Sequence, residues 1–98
     1  MDTIQSVEAE KPTMRAVRES VYYLKALLLA SGQEPKSLSL EEFCITEIDE
    51  KRYYRTQLSY LVPTGQTMFG ASEVKTYKNV FLSVDDFELK SIETDEKA

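Results

Sequence analysis

The chain has no histidine, no tryptophan, a single cysteine, three glycines and three prolines. Without histidine there is no Ser-His-Asp triad, no Cys-His dyad and no His-ligated zinc. One cysteine permits neither a disulfide within the chain nor a cysteine-rich metal cluster. That residue, Cys44, sits in the strand-like run Phe43-Cys44-Ile45. A free thiol there behaves as a small hydrophobe, and no base adjoins it in sequence to activate it. No stretch approaches the roughly 20 apolar residues of a membrane span. Residues 1–11 lack the apolar core of a signal peptide. The expected setting is reducing and cytoplasmic, with no membrane span. Carboxylates and tyrosines are what remain for chemistry.

What is present is enough for one core. The 98 residues are 42% hydrophobic and include four Phe and six Tyr. A domain of this size buries about 65% of its unfolded surface, so it needs no metal or disulfide support. The formal net charge is −5, and it is unevenly placed. Residues 85–98 hold six acidic and two basic groups, and the rest of the chain holds 11 acidic and 10 basic. An acidic balance argues against nucleic acid as a partner, because phosphate neutralisation needs a basic surface.

Periodicity predicts a helix over 13–31, with Thr13 as N-cap and Gly32 as the stop. Met14, Val17, Val21, Leu24 and Leu28 step by three and four, which is an amphipathic face. From Val21 to Ala30 only Lys25 is charged, and Tyr22 and Leu29 fall on the face that should be wet. This apolar surplus means that the second half of the helix is covered on more than one side. The cover is either the sheet of the same molecule or a second chain. From residue 38 the period becomes two. Leu38 and Leu40 alternate, then Phe43 and Ile45 alternate on the opposite parity, which marks a bulge or a strand break at Glu41-Glu42. A second strand over 52–62 places Tyr54, Thr56, Leu58, Tyr60 and Val62 on one face. A loop is expected over 63–72, then strands over 74–84 and 87–92, with Asp85-Asp86 as the turn between them. The fold class is α+β, one N-terminal helix packed on a four-stranded antiparallel meander. Residues 1–12 and 93–98 are expected to be flexible tails around a single domain, 13–92.

The run Tyr77-Lys78-Asn79-Val80-Phe81-Leu82-Ser83-Val84-Asp85, with Leu89-Lys90-Ser91-Ile92 after the turn, resembles the final hairpin of PepSY-like and cystatin-like small bacterial modules. The layout of a helix before a short meander is also similar to that of gas-vesicle accessory proteins. The resemblance covers about residues 13–92 and implies a non-enzymatic binding or regulatory module of bacterial origin.

The motifs that could carry chemistry have simpler readings. Lys51-Arg52-Tyr53-Tyr54-Arg55 is the one basic cluster with interleaved aromatics, but Glu47, Asp49 and Glu50 cancel its charge. Glu41-Glu42, Glu47, Asp49 and Glu50 lack the spacing of a calcium loop and suit a charged edge strand. The glycine-containing run 64–70 lacks the Lys-Ser/Thr of a phosphate loop. Its Met68 and Phe69 either anchor the loop or form a partner hook, since flexible Met beside an aromatic suits adaptable contacts. No catalytic residue, cofactor or metal is expected. The expected function is protein–protein contact, as a homodimer or as a subunit of a larger assembly, with Tyr22, Leu29, Met68 and Phe69 as interface residues. One alternative is an acidic inhibitor or immunity-type protein binding a basic partner. Another is a small-ligand binder or enzyme with a sheet–helix pocket, which would draw on Glu42, Tyr54, Tyr60 and Tyr77.

Overall fold

The computed structural model describes the backbone of residues 11–67 and 70–96, with side chains for all of these except 64–67 and 70–72. One helix, α1 (Pro12–Ala30), precedes four strands: β1 (Lys36–Ile48), β2 (Lys51–Thr67), β3 (Gly70–Ser83) and β4 (Leu89–Asp95). All neighbours are antiparallel and the sheet order is β1-β2-β3-β4. This is the α+β meander that the periodicities predict. The helix packs across β2 and β3 on one face of the sheet.

Helix α1 starts one residue earlier than expected, and its cap is different. Lys11 takes the N-cap position with no side-chain hydrogen bond, and Pro12 opens the first turn. Proline has its φ preset for that position and carries no N–H to be capped, so Thr13 lies inside the helix. The other end follows the expectation. Gly32 adopts φ 81°, and the N–H groups of Gly32 and Gln33 return to the carbonyls of Leu29 (3.0 Å) and Leu28 (2.8 Å). This double closure needs a left-handed residue, which glycine supplies without a Cβ clash.

The core lies between α1 and the sheet. Ala16, Leu24 and Leu28 of the helix meet Tyr54, Leu58, Tyr60, Val80 and Leu82 of the central strands, all buried. Where the layers meet, the Ser20 hydroxyl donates to Thr56 Oγ1 at 3.0 Å, and both residues are buried. A buried hydroxyl without a partner would be costly, and this pair satisfies two at once. At the N-terminal end of the helix, Phe87 stacks on Tyr54 (5.5 Å between centroids), Tyr54 stacks on Phe43 (5.7 Å), and the Arg15 guanidinium lies 4.2 Å from the centre of the Phe87 ring. These contacts hold Phe87 at φ 62°. A left-handed conformation is strained for a bulky residue. The chain therefore turns at Phe87 and β4 begins at Leu89, two residues after the expected start.

Burial also acts on Tyr60. It pushes the phenol up from its ordinary value, because the charged form is disfavoured away from water. The folded state thus favours the neutral phenol. Its contribution to stability is fully present below the unfolded pKa of about 10 and is lost as pH rises through the folded value. Urea titrations in mildly to strongly alkaline buffer are expected to show stability falling above pH ~10. Tyr60→Phe should flatten that fall while leaving neutral-pH stability nearly unchanged.

Other strand boundaries also differ from the expectation. Strands β2 and β3 continue through most of the expected loop 63–72, pairing as far as Thr67 with Gly70. Pro63 is accommodated by a register shift between Pro63 and Gly65, the kind of irregularity where proline is tolerated in a sheet. Residues 93–95, expected in the C-terminal tail, belong to β4 and pair with 77–79 of β3. Asp95 is held there by hydrogen bonds from Gln57 and Asn79. The bulge at Glu41-Glu42 is present: Leu40 opposes Leu58 and Glu42 opposes Gln57, with a register shift between them.

Candidate functional site

The helix supplies the first candidate surface. Ala16, Ser20, Leu24 and Leu28 turn toward the sheet, and a single helix can bury only one side this way. Tyr22 and Leu29 therefore stay on the outer side, 68% and 61% exposed. Among the described residues, their own sheet does not cover them. Arg18 and Lys25 stand one turn from Tyr22 on the same side of the helix, so the surface is an apolar stripe edged with cations. The Tyr22 ring is steadied edge-on against Tyr23 at 5.7 Å. Met68 and Phe69 lie outside the described residues.

A second apolar surface has no distinct signal in the sequence. An open groove of about 510 Å³ runs between α1 and β1, lined by Thr13, Met14, Val17, Arg18, Leu40 and Phe43. Met14 and Leu40 are both well exposed there. The periodic pattern placed these side chains on core faces. It could not show that α1 sits over β2 and β3, which leaves the β1 side of the core thinly covered.

The sheet face opposite α1 carries a polar network that spans all four strands. Arg55 donates to Glu42 Oε1 (2.9 Å), Asn79 Oδ1 (3.0 Å) and Cys44 Sγ (3.4 Å). Asn79 and Gln57 both donate to Asp95 Oδ2, at 3.1 and 2.5 Å. Beside this, Ser59 donates to Glu41 Oε2 at 2.6 Å, and Lys75 Nζ lies 3.1 Å from the same oxygen. Gln57, on this face, is only 1% exposed. Hydrogen bonding to Cys44, and then to Glu42, raises the Arg55 pKa further and holds its positive charge in place. Cys44 is half-buried and is engaged by Arg55.

The groups considered for a sheet–helix pocket are not brought together. Tyr54 and Tyr60 are in the core beneath the helix, while Glu42 and Tyr77 are on the opposite face. Among the described residues, no buried side-chain polar atom lacks a partner, and no group of three Cys, Asp or Glu residues is arranged to hold a metal ion. The basic cluster contributes Lys51, Arg52 and Tyr53 to an open concavity of about 550 Å³ between the β1–β2 and β3–β4 turns. Glu50, Asp85, Asp86 and Glu88 line the same concavity, so it has no dominant positive field. Asp86 serves the turn itself, its Oδ1 accepting from the Glu88 N–H at 3.0 Å. No helix among the described residues is long and apolar enough to cross a membrane.

No family model matches the chain, and the comparisons with curated proteins and with solved structures find no significant match.

Proposed function

We propose that this chain is a non-enzymatic contact protein, working in the cytoplasm as a homodimer or as a subunit of a larger assembly. One observation carries the reading: the helix turns Tyr22 and Leu29 outward, although their apolar surface gains nothing from water. Aromatic anchors of this kind are enriched where partners bind. The absence of histidine agrees with it, as does the use of the available carboxylates in holding the sheet together.

The test is Tyr22→Glu combined with Leu29→Glu. Both positions are exposed, so folding stability should stay within about 0.5 kcal/mol of the parent. Association, whether with a second copy or with a co-purifying protein, should weaken at least tenfold when followed by light scattering or sedimentation. Assembly that survives the double substitution unchanged would remove the helix as the contact surface.

A further inference from the structure

We infer that β1 is the self-association edge of this protein, pairing antiparallel with β1 of a second copy about a two-fold axis through the Glu41-Glu42 bulge. The inference rests on the reading of the chain as a contact protein. It places the second copy at the sheet edge and leaves the outer helix face for another protein.

Strand β1 ends the sheet and pairs only with β2, so its outer backbone edge has no partner among the described residues. The opposite edge, β4, is much shorter, seven residues against 13. Edge strands are usually guarded by charge or by bulges. In the middle of β1 the charges are engaged across the sheet, while Lys36 and Glu47 stand towards its two ends. Glu41 is turned to Ser59 and Lys75, and Glu42 to Arg55. What β1 shows on its helix side is apolar: Leu40 is 50% exposed and Ile45 45%. The groove lined by Met14, Val17, Leu40 and Phe43 lies between this edge and the helix.

The bulge selects the register. Leu40, Phe43 and Ile45 oppose Leu58, Thr56 and Tyr54, and so share the helix face. Leu38 packs on the same core. Ser39, Glu42 and Cys44 oppose Ser59, Gln57 and Arg55 on the other face, and Glu41 joins them through Ser59. Two antiparallel strands pair well only when opposed residues point to the same face. Strand β1 has two register shifts on β2, one between Lys36 and Ser39 and one between Leu40 and Glu42; with the second at the axis, just one two-fold register meets that condition from 39 through 44 and also matches Leu38 with Ile45. It sets Leu38 opposite Ile45, Ser39 opposite Cys44, Leu40 opposite Phe43 and Glu41 opposite Glu42. Apolar residues then meet apolar, and polar meet polar, and the paired stretch ends at the Lys36/Ser39 shift. The carboxylates at the axis arrive already matched. Each copy brings Glu41 and Glu42 together with Lys75 and Arg55, so the axis gathers no net charge.

The contact is a small one. Eight paired residues span about 27 Å, and α1 lies over β2 and β3, so the edge contributes little more than one sheet layer and falls in the class of weak, reversible interfaces. Association in the micromolar range is the expectation.

Ser39→Cys tests the register directly. Directly opposed residues in an antiparallel pair lie about 4.5–5.5 Å apart at Cα, within reach of a disulfide. Mild oxidation should therefore link Cys44 of one copy to the new thiol of the other and give a covalent dimer on a non-reducing gel. The parent and the Ser39→Cys/Cys44→Ser variant should stay unlinked, because like positions are five residues out of register. Leu40→Lys should weaken non-covalent association at least tenfold in sedimentation runs, with circular dichroism confirming the fold. Cross-linking of the parent through Cys44 would overturn the register. A dimer that Ser39→Cys fails to trap, and that Tyr22→Glu/Leu29→Glu abolishes, would overturn the edge while supporting the helix. A strict monomer to high micromolar concentration would overturn the edge and leave the helix face to be tested against a different protein.

Discussion

Leu24→Ala is expected to destabilise the protein by about 2–5 kcal/mol, a large share of the roughly 5–15 kcal/mol available to a domain of this size. Leu24 is 0% exposed and sits in the single layer where α1 meets Leu58, Val80 and Leu82. Truncation removes transfer free energy and leaves a cavity that sheet and helix cannot both close on. At about 4–8 °C per kcal/mol, the melting temperature should fall by at least about 8 °C. Leu29→Ala is the matched control. It lies on the same helix, has the same chemistry and is 61% exposed, so it should cost about 0.5 kcal/mol or less in the monomer. Thermal unfolding at two protein concentrations adds a further check. If a second chain covers Leu29, the loss at that position will grow with concentration, because association stabilises by mass action. Equal losses at both positions in dilute solution would mean that the helix is not seated as described.

Much of this architecture was readable because it is locally encoded. The three-four spacing from Met14 to Leu28 marks the helix and the side it turns to the sheet, although of that stripe only Leu24 and Leu28 are buried and Met14 is exposed; Gly32 marks the helix end through a backbone conformation that other residues resist. The parity change between Leu40 and Phe43 announced the bulge before any pairing was known. The extent of the β2–β3 hairpin was not readable in the same way. Pro63 and Gly65 are loop signals, and only pairing with β3 shows that the strand passes through them. The C-terminal residues were similarly deceptive. Glu93 to Asp95 look like a solvated end until register brings Asp95 to Gln57 and Asn79.

The candidate surfaces divide along the same line. Tyr22 and Leu29 were visible as apolar residues on a face that should be wet, since helix geometry alone assigns them there. The groove beside β1 was invisible, because Met14 and Leu40 are exposed only through the position of α1 over β2 and β3. The polar network is the extreme case. Glu42, Arg55, Asn79 and Asp95 come from four strands, and nothing in their spacing links them. Their shared feature is the parity of strand positions facing away from the helix, a weak signal that becomes specific only when all three strand registers are known.

Arg55→Met is expected to cost about 1–3 kcal/mol, in the range of a hydrogen bond to a charged group plus the stranding of a partner. Methionine keeps much of the side-chain volume and removes every donor. The loss should not come mainly from the ion pair. Glu42 is half exposed and can return to water, so that contact is worth at most about 1 kcal/mol. The larger part should come from Asn79, which is partly buried between Arg55 and Asp95. A double-mutant cycle separates the two. Coupling between Arg55→Met and Glu42→Gln should be small and should shrink as salt is raised, since exposed charges are screened over about 8–10 Å near physiological ionic strength. Coupling between Arg55→Met and Asn79→Ala should be larger and nearly independent of salt. Urea unfolding at low and high salt measures both. If the Glu42 coupling dominates instead, the network is an exposed ion pair with bystanders. If the Asn79 coupling dominates, the side chains bridge the four strands as a unit, performing on the sheet face opposite α1 the task that α1 performs on its own.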